Sequence, residues 1–377
     1  MENKNKLKLV TIVGTRPELI RLSLTIKKCD IFFNHTLIHT GQNYDYELNQ
    51  IFFDELNIRK PDYFLEVSGK DLGETLGNII SKSFKCFSEI NPDAILVLGD
   101  TNSSLSIISA KRLKIPIFHM EAGNRCFDLN VPEEINRRIA DHLADINLTY
   151  SENSRRYLLS EGFNKNNVFT IGSPMNEIII NYKDKINNSK ILSNLSILKN
   201  KYILASIHRE ENLDIGNNLE NIINGIEKVS KNYDLPVIFS THPRTKIKLK
   251  SKFLKSKIKF VKPLGFFDYS SLQSNAFVTL SDSGTLSEES AIIGFPAVSV
   301  RTSTERPEAI DAGTVVIGNI DPKSILQATE IAVKNMDFNF DQITDDYKVS
   351  NSSMKVVKII QGYTRIVNLE VWKRSPE

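Results

Sequence analysis

Cysteine is scarce in this chain of 377 residues: Cys29, Cys86 and Cys126 stand far apart and form no C-x-x-C pair. An odd count at such spacing builds neither a disulfide framework nor a zinc ribbon, and it fits a reducing cytoplasm. The six histidines are scattered, so no metal centre is expected. No run of about 18 apolar residues occurs, so no membrane span is expected. The opening "MENKNKLKLVTIVG" has lysines but no long apolar segment, which argues against a signal peptide. Charge of one sign is missing as well. Lys and Arg number 48 against 45 Asp and Glu, and the net charge of +3 gives no reason to expect a nucleic-acid partner. The local lysine excess in "TKIKLKSKFLKSKIKF" (245–260) reads as the solvated side of a helix and of the strand after it. Neither G-x-G-x-x-G nor G-x-x-x-x-G-K-[ST] occurs, which disfavours a nicotinamide cofactor and a P-loop.

What the chain does contain is a regular alternation. Short apolar runs rich in Val, Ile and Leu lie at 7–14, 35–41, 94–100, 115–123, 146–151 and 168–174. They are continuous in apolar character, the mark of strands buried on both faces. Helical periods lie between them, such as Leu72, Leu76, Ile79, Ile80, Phe84, Phe87 and Ile90. The stretch 175–201 is rich in Asn, Lys and Ser and reads as a linker with a surface helix. A second series follows at 202–209, 236–243, 258–265, 276–284, 295–301 and 314–319, with Leu219, Ile222, Ile223, Ile226 and Val229 phased on one helix face. The chain is too long for one ordinary core. The fold class is therefore α/β with two Rossmann-like, doubly wound domains, 1–174 and 202–353. A last helix from about 354 to 377 is a candidate to pack back on the first domain.

Polar residues gather where the expected strands stop: "GTRPE" (14–18), "GD" (99–100), "EAGNR" (121–125), "HREEN" (208–212), "THPR" (241–244), "SDSG" (281–284) and "RTSTERPE" (301–308). Open α/β sheets bind ligands outside the carboxyl ends of their strands, so these ends are expected to converge on one interdomain site. "SDSGTLSEES" leaves a strand and opens a helix, a place for a diphosphate, with Glu288 or Glu289 about one turn on for a ribose. The plainer alternative is an ordinary helix cap. Arg16, in a second such turn, is either a phosphate ligand or a surface arginine. His208 is either structural or functional beside Arg209, Glu210 and Glu211. Asp100, Glu121 and Glu133 suit general acid and base work if crowded, or salt bridges to Arg125, Arg137 and Arg138 if not.

Taken together, "GTRPE", "GDTNS", "HMEAGNR", "PEEINRR", "SIHREEN", "SDSGTLSEES" and "TERPEAIDAGT" resemble the non-hydrolysing UDP-N-acetylglucosamine 2-epimerase family over nearly the whole chain. The resemblance implies two Rossmann-like domains facing across a cleft, the GT-B-type arrangement. It implies no metal or other cofactor, a UDP-sugar substrate, and usually a homodimer. It puts Asp100, Glu121 and Glu133 around C2 of the sugar. Arg16, Arg137 and His208 then lie near the diphosphate or its departure, with His208 among the catalytic candidates. Ser283 and Gly284 would cradle phosphate and Glu289 hold the ribose. Arg209, Glu211, His242, Glu288 and Arg306 complete the candidate UDP-binding set.

The chain also departs from the parent pattern. The parents typically follow "EAG" with Leu-Arg-Thr-Gly and a longer insert before "PEE". Here Asn124, Arg125, Cys126 and Phe127 follow, and the insert is short. The second Gly of the usual "DSGG" is Thr285, and the usual glutamine-histidine pair reads Gln42-Asn43. These features resemble the capsule and O-antigen branch that converts UDP-2-acetamido-2,6-dideoxy-β-L-talose to UDP-N-acetyl-β-L-fucosamine. A 6-deoxy sugar presents a methyl, against which Phe127 can pack. The alternatives are conversion of UDP-N-acetylglucosamine to UDP-N-acetylmannosamine, a GT-B glycosyltransferase, a hydrolysing epimerase and a silent UDP-sugar sensor.

Overall fold

The computed structural model describes residues 6–41, 46–249, 257–334 and 343–374. Residues 1–5 of the amino-terminal stretch, the Gln42-Asn43 pair and 250–256 of the lysine-rich run lie outside the described residues. The chain forms two compact units, residues 1–178 with 349–377, and residues 179–348.

The first unit is built on strands β1 (Lys8–Val13), β2 (Asn34–His39), β3 (Tyr63–Phe64), β4 (Ala94–Leu98), β5 (Ile117–Ala122), β6 (Ile146–Thr149) and β7 (Val168–Thr170). Their order is β3-β2-β1-β4-β5-β6-β7, and every pairing is parallel. β4, β5 and β6 are buried along their whole length, which is why they read as unbroken apolar runs. β3 has no such signal, because both of its residues are exposed. Val10, Ile12, Ile95, Val97 and Ile117 pack with Phe87 and Ile107 in the core. The helix Ser352–Glu370 belongs to this unit and packs on the helix Arg16–Phe32. Its start is fixed by Glu177, which accepts hydrogen bonds from the Ser352 hydroxyl and the Ser353 N–H, each at 2.9 Å.

The second unit carries β8 (Ile203–Ser206), β9 (Val237–Ser240), β10 (Ile258–Val261), β11 (Val278–Ser281), β12 (Ala297–Ser299) and β13 (Val316–Ile317). Their order is β10-β9-β8-β11-β12-β13, again all parallel. Ile222, Ile223, Ile226 and Val229 of the helix Asn218–Tyr233 are fully buried against this sheet. The stretch 175–201 holds two helices, Met175–Asn187 and Ile191–Leu195, and the division between units falls inside the first.

Each sheet grows outward in both directions from one central pair, β1 with β4 and β8 with β11. There the connections depart to opposite sides, and a crevice opens beyond the carboxyl ends. His35 and His39 stand four apart, but on strand β2, where that interval brings no shared ligand geometry. His35 bonds Asp30 and Thr11, while His39 stacks on Phe64 with ring centroids 4.9 Å apart. Among the described residues no cluster of His, Cys, Asp or Glu fits a metal ion, and no helix is long and apolar enough to cross a membrane.

Candidate functional site

In the first unit the loops after β1 and β4 meet at the reversal of strand order. Glu18, buried on the first turn of the helix Arg16–Phe32, reaches back to accept from the N–H groups of Gly14 and Thr15 (3.0 Å for Thr15) and from the Thr101 hydroxyl. One carboxyl group thus ties the two loops together. Burial pushes its pKa up to about 7, against the pull of those hydrogen bonds, and Asp100 nearby pushes the same way. Arg16 is exposed on the same turn, its guanidinium 5.4 Å over the Phe52 ring. Asp100 takes both Nε (3.0 Å) and Nη2 (2.6 Å) of Arg137, and Asn136 holds the Asp100 carbonyl at 3.0 Å. The helix Pro132–Leu143 therefore braces the β4 loop.

Glu121 lies at the end of β5, where the pairing with β6 slips between Met120 and Ala122. Its φ of 66° is left-handed, an uncommon state for glutamate that turns the side chain out of the strand's alternation. The carboxylate accepts from Arg21 and from Asn124 Nδ2 at 3.3 Å. A Cβ added to Gly99, whose φ is +71°, would stand 3.1 Å from Glu121 Oε2. Glycine at the end of β4 thus lets the loop carrying Asp100 lie against Glu121. Behind them His119 is wholly buried, with Nδ1 3.0 Å from Asp141 and Nε2 2.9 Å from the Gly99 carbonyl. Burial disfavours its charge, but the contact with Asp141, the bond to the Gly99 carbonyl and the charge of Glu121 together raise its pKa.

The first unit brings Asp100 and Glu121 to adjoining strand ends. Neither uses all the arginines that the sequence offered. Arg125 is buried in a bidentate pair with Glu161 and a 2.7 Å bond to Asp141. Glu134 takes Arg138 and the third nitrogen of Arg137, at 3.0 and 3.1 Å. Burial would raise the Glu134 pKa, yet hydrogen bonds from the Cys126 N–H and Arg138, with the charge of Arg137, lower it. Glu133 sits beside it, half-buried on the first helical turn.

In the second unit the loops after β8 and β11 meet in the same way. Asp282, fully buried just after β11, accepts from the N–H groups of His208 and Arg209 (3.0 and 2.9 Å) and from Asn212 Nδ2 (3.0 Å). His208 Nδ1 is 3.1 Å from the same carboxylate. Burial would raise the Asp282 pKa, but the His208 charge and these donors take it down to about 2. Arg209 donates from Nε to the Asp282 carbonyl (2.9 Å) and from Nη2 to Glu305 (3.0 Å), and lies 3.7 Å from Glu211. Arg301 holds the other Glu305 oxygen at 2.7 Å. A Cβ on Gly284 would come within 2.3 Å of Glu305 Oε1, so the absence of a side chain there makes room for an ion pair.

Ser283 shares a hydrogen bond of 2.9 Å with Thr285 in the turn that opens the helix Leu286–Ile293. Glu289 accepts from Gln273 at 2.6 Å. Glu288 and Arg306 are buried together, 3.7 Å apart, with Glu308 4.0 Å from Arg306. His242 caps the helix Pro243–Lys248 through Nδ1, and its ring lies 6.5 Å from that of His208.

The sequence profile described as UDP-N-acetylglucosamine 2-epimerase matches residues 27–361. The chain belongs to this family. It is an isomerase, a UDP-sugar 2-epimerase. It is 46% identical to a solved UDP-N-acetylglucosamine 2-epimerase from Rickettsia bellii, with a TM-score of 0.92 over 98% of this chain and 100% of that one. A Methanocaldococcus jannaschii UDP-GlcNAc 2-epimerase, solved with UDP-GlcNAc and UDP, is 34% identical, with a TM-score of 0.88 over 94% of this chain and 100% of that one. A Pseudomonas aeruginosa UDP-2,3-diacetamido-2,3-dideoxy-D-glucuronate 2-epimerase is 31% identical over 82% of this chain and 88% of its own length. The fold alone extends to Phytolacca americana UGT2, at 13% identity and a TM-score of 0.58, placing this epimerase in the GT-B class.

Several residues that shape the two switch points were not among the candidates drawn from the sequence. Glu18, Arg21, Asn124, Asp282 and Glu305 all sit within quoted motifs or one turn of them, but nothing in their local pattern marks them as buried. Only the helix Pro132–Leu143 held a usable signal: Glu134, Arg137 and Asp141 are spaced by three and four and are all buried. Charged residues at core spacing announce an internal ion-pair face.

Proposed function

We propose that this epimerase converts UDP-2-acetamido-2,6-dideoxy-β-L-talose to UDP-N-acetyl-β-L-fucosamine. The chemistry sets what is needed. A carboxylate takes the proton from C2, the C2–H pair forms the C1=C2 bond, and UDP leaves from C1 with the pair of the C1–O bond. The products are a 2-acetamidoglycal and UDP. UDP then re-forms its bond to C1 while a proton arrives at C2 from the opposite face. Asp100, Glu121 and Glu133 act in these proton transfers. Arg16, Arg137 and His208 serve the diphosphate as it departs. Arg209, Glu211, His242, Ser283, Gly284, Glu288, Glu289 and Arg306 form and support the UDP-binding region. No cofactor takes part.

The observation that carries this reading is the adjacency of Asp100 and Glu121, each charge-paired to a different arginine. A transferase needs one base and has no use for a second proton-bearing group behind C2. The choice of sugar rests on the short path after Gly123. Asn124 replaces the usual leucine and donates to Glu121, and Phe127 is 62% exposed, its ring set at 85° to that of Tyr157 with centroids 5.3 Å apart. The names of the solved relatives favour a second reading, UDP-N-acetylglucosamine to UDP-N-acetylmannosamine. The three reduced cysteines support a cytoplasmic enzyme, and the family resemblance supports a homodimer serving capsule or O-antigen synthesis.

The test offers each nucleotide sugar separately to the purified protein in heavy water. The 6-deoxy-L-talose nucleotide should turn over faster and gain deuterium at C2. Faster turnover of UDP-N-acetylglucosamine would sink the choice of sugar. Sugar transfer without C2 exchange would sink the epimerisation.

A further inference from the structure

We propose that Asp282 is a positioning residue for His208, holding its imidazole with a proton on Nδ1 and thereby fixing Nε2 as the nitrogen that serves the departing diphosphate. This rests on the assignment of His208 to the reaction. A carboxylate only accepts hydrogen bonds, so the ring nitrogen 3.1 Å from it has to donate. The backbone N–H of His208 bonds both oxygens of the same carboxylate, at 3.1 and 3.0 Å. Main chain and ring of one residue thus grip a single buried anchor, and the ring has little orientation left to lose when the reaction occurs. Asn212 and the Arg209 N–H, at 3.0 and 2.9 Å, fix the anchor itself.

Exposure separates this arrangement from a core ion pair. Asp282 is inaccessible, whereas the His208 side chain is 40% exposed. A histidine serving only to neutralise a buried aspartate would be buried with it. The β8 and β11 ends that carry the pair are the two strands at the reversal of order, where the fold places ligands.

Asp282→Asn keeps the shape and lets the amide donate, which turns Nδ1 into an acceptor and moves the proton to Nε2. We expect kcat for epimerisation to fall about 10²-fold, with KM changed only a few-fold. Ring ¹⁵N signals of histidine-labelled full-length protein, recorded where the ring is neutral, should show Nδ1–H in the wild type and Nε2–H in D282N. The double variant with His208→Asn should be no slower than H208N alone. An equal cost of D282N in both backgrounds would overturn the proposal, as would a wild-type ring protonated on Nε2. The wild-type spectrum decides even if D282N does not fold. Full turnover in H208N would remove the premise, and is distinguishable from failure of the positioning because the wild-type His208 ring would still report Nδ1–H.

Discussion

The two switch points share a topology and differ in chemistry. At β1 and β4 the loops are joined by a buried glutamate of raised pKa, and carboxylates stand beside arginines: Asp100 with Arg137, Glu121 with Arg21. At β8 and β11 the loops are joined by a buried aspartate of lowered pKa, which gathers N–H groups and a histidine. The equivalent strand ends thus present carboxylates paired to arginines in one unit, and N–H groups with a histidine gathered on one aspartate in the other. Strand order decides where a ligand sits. The residues just past the strand ends decide what is done to it.

The largest expected effect breaks the chemical half of the comparison. Asp100→Asn keeps the size of the side chain but removes a carboxylate from the first switch point. Turnover should fall by about 10²- to 10⁴-fold, with UDP binding retained. Epimerisation rates and UDP titration check this, and an equal loss of UDP affinity would contradict the division of labour.

Glu18→Gln sharpens the contrast between the two anchors. A carboxyl whose folded pKa stands near 7 against 4.5 binds its proton more tightly folded than unfolded. Its stability contribution is fully present below about pH 4.5 and is lost as pH rises through 7, a loss of roughly 3 kcal/mol at most. The neutral glutamine does not titrate. Wild type and E18Q should therefore match near pH 4.5, and the wild type should become the less stable by pH 8 in denaturant melts. Asp282 has the opposite sign, its contribution being lost only as pH falls through about 2.

Gly284→Ala probes the room left for an ion pair. The added methyl meets Glu305 and pushes it off Arg209, which should cost about 1–3 kcal/mol and weaken UDP binding. Stability measured without UDP should already show the loss. If only the UDP affinity changes, the glycine serves the ligand alone. The smallest effect belongs to Phe127→Ala. An exposed ring leaves stability within about 0.5 kcal/mol. The KM for the 6-deoxy nucleotide should rise while that for UDP-N-acetylglucosamine holds, and equal shifts would remove Phe127 from sugar selection.

Much of the fold was legible because its strands are buried on both faces. Val10, Ile95, Ile117 and Val298 belong to runs with only one economical explanation, a covered parallel strand. β3 was not legible, since two exposed residues carry no pattern. The polar groups at the strand ends were legible in the sequence, but their wiring was not. Glu133 and Glu134 are neighbours of identical type, and only the phase of their helix against β5 decides which is buried between Arg137 and Arg138. Arg125 stood beside Glu121 in sequence and went to Asp141 and Glu161 instead.

By itself the sequence determined the alternation of strands and helices, the places where polar groups leave each strand, and the family. These follow from local composition, because burial on both faces demands apolar residues and strand ends are where that demand stops. Tertiary structure decided the partners: Arg21 for Glu121, Thr101 for Glu18, Asp282 for His208. Those pairs join residues between 74 and 100 positions apart, and a charge removed from water takes whichever opposite charge or donor the packed chain brings within reach.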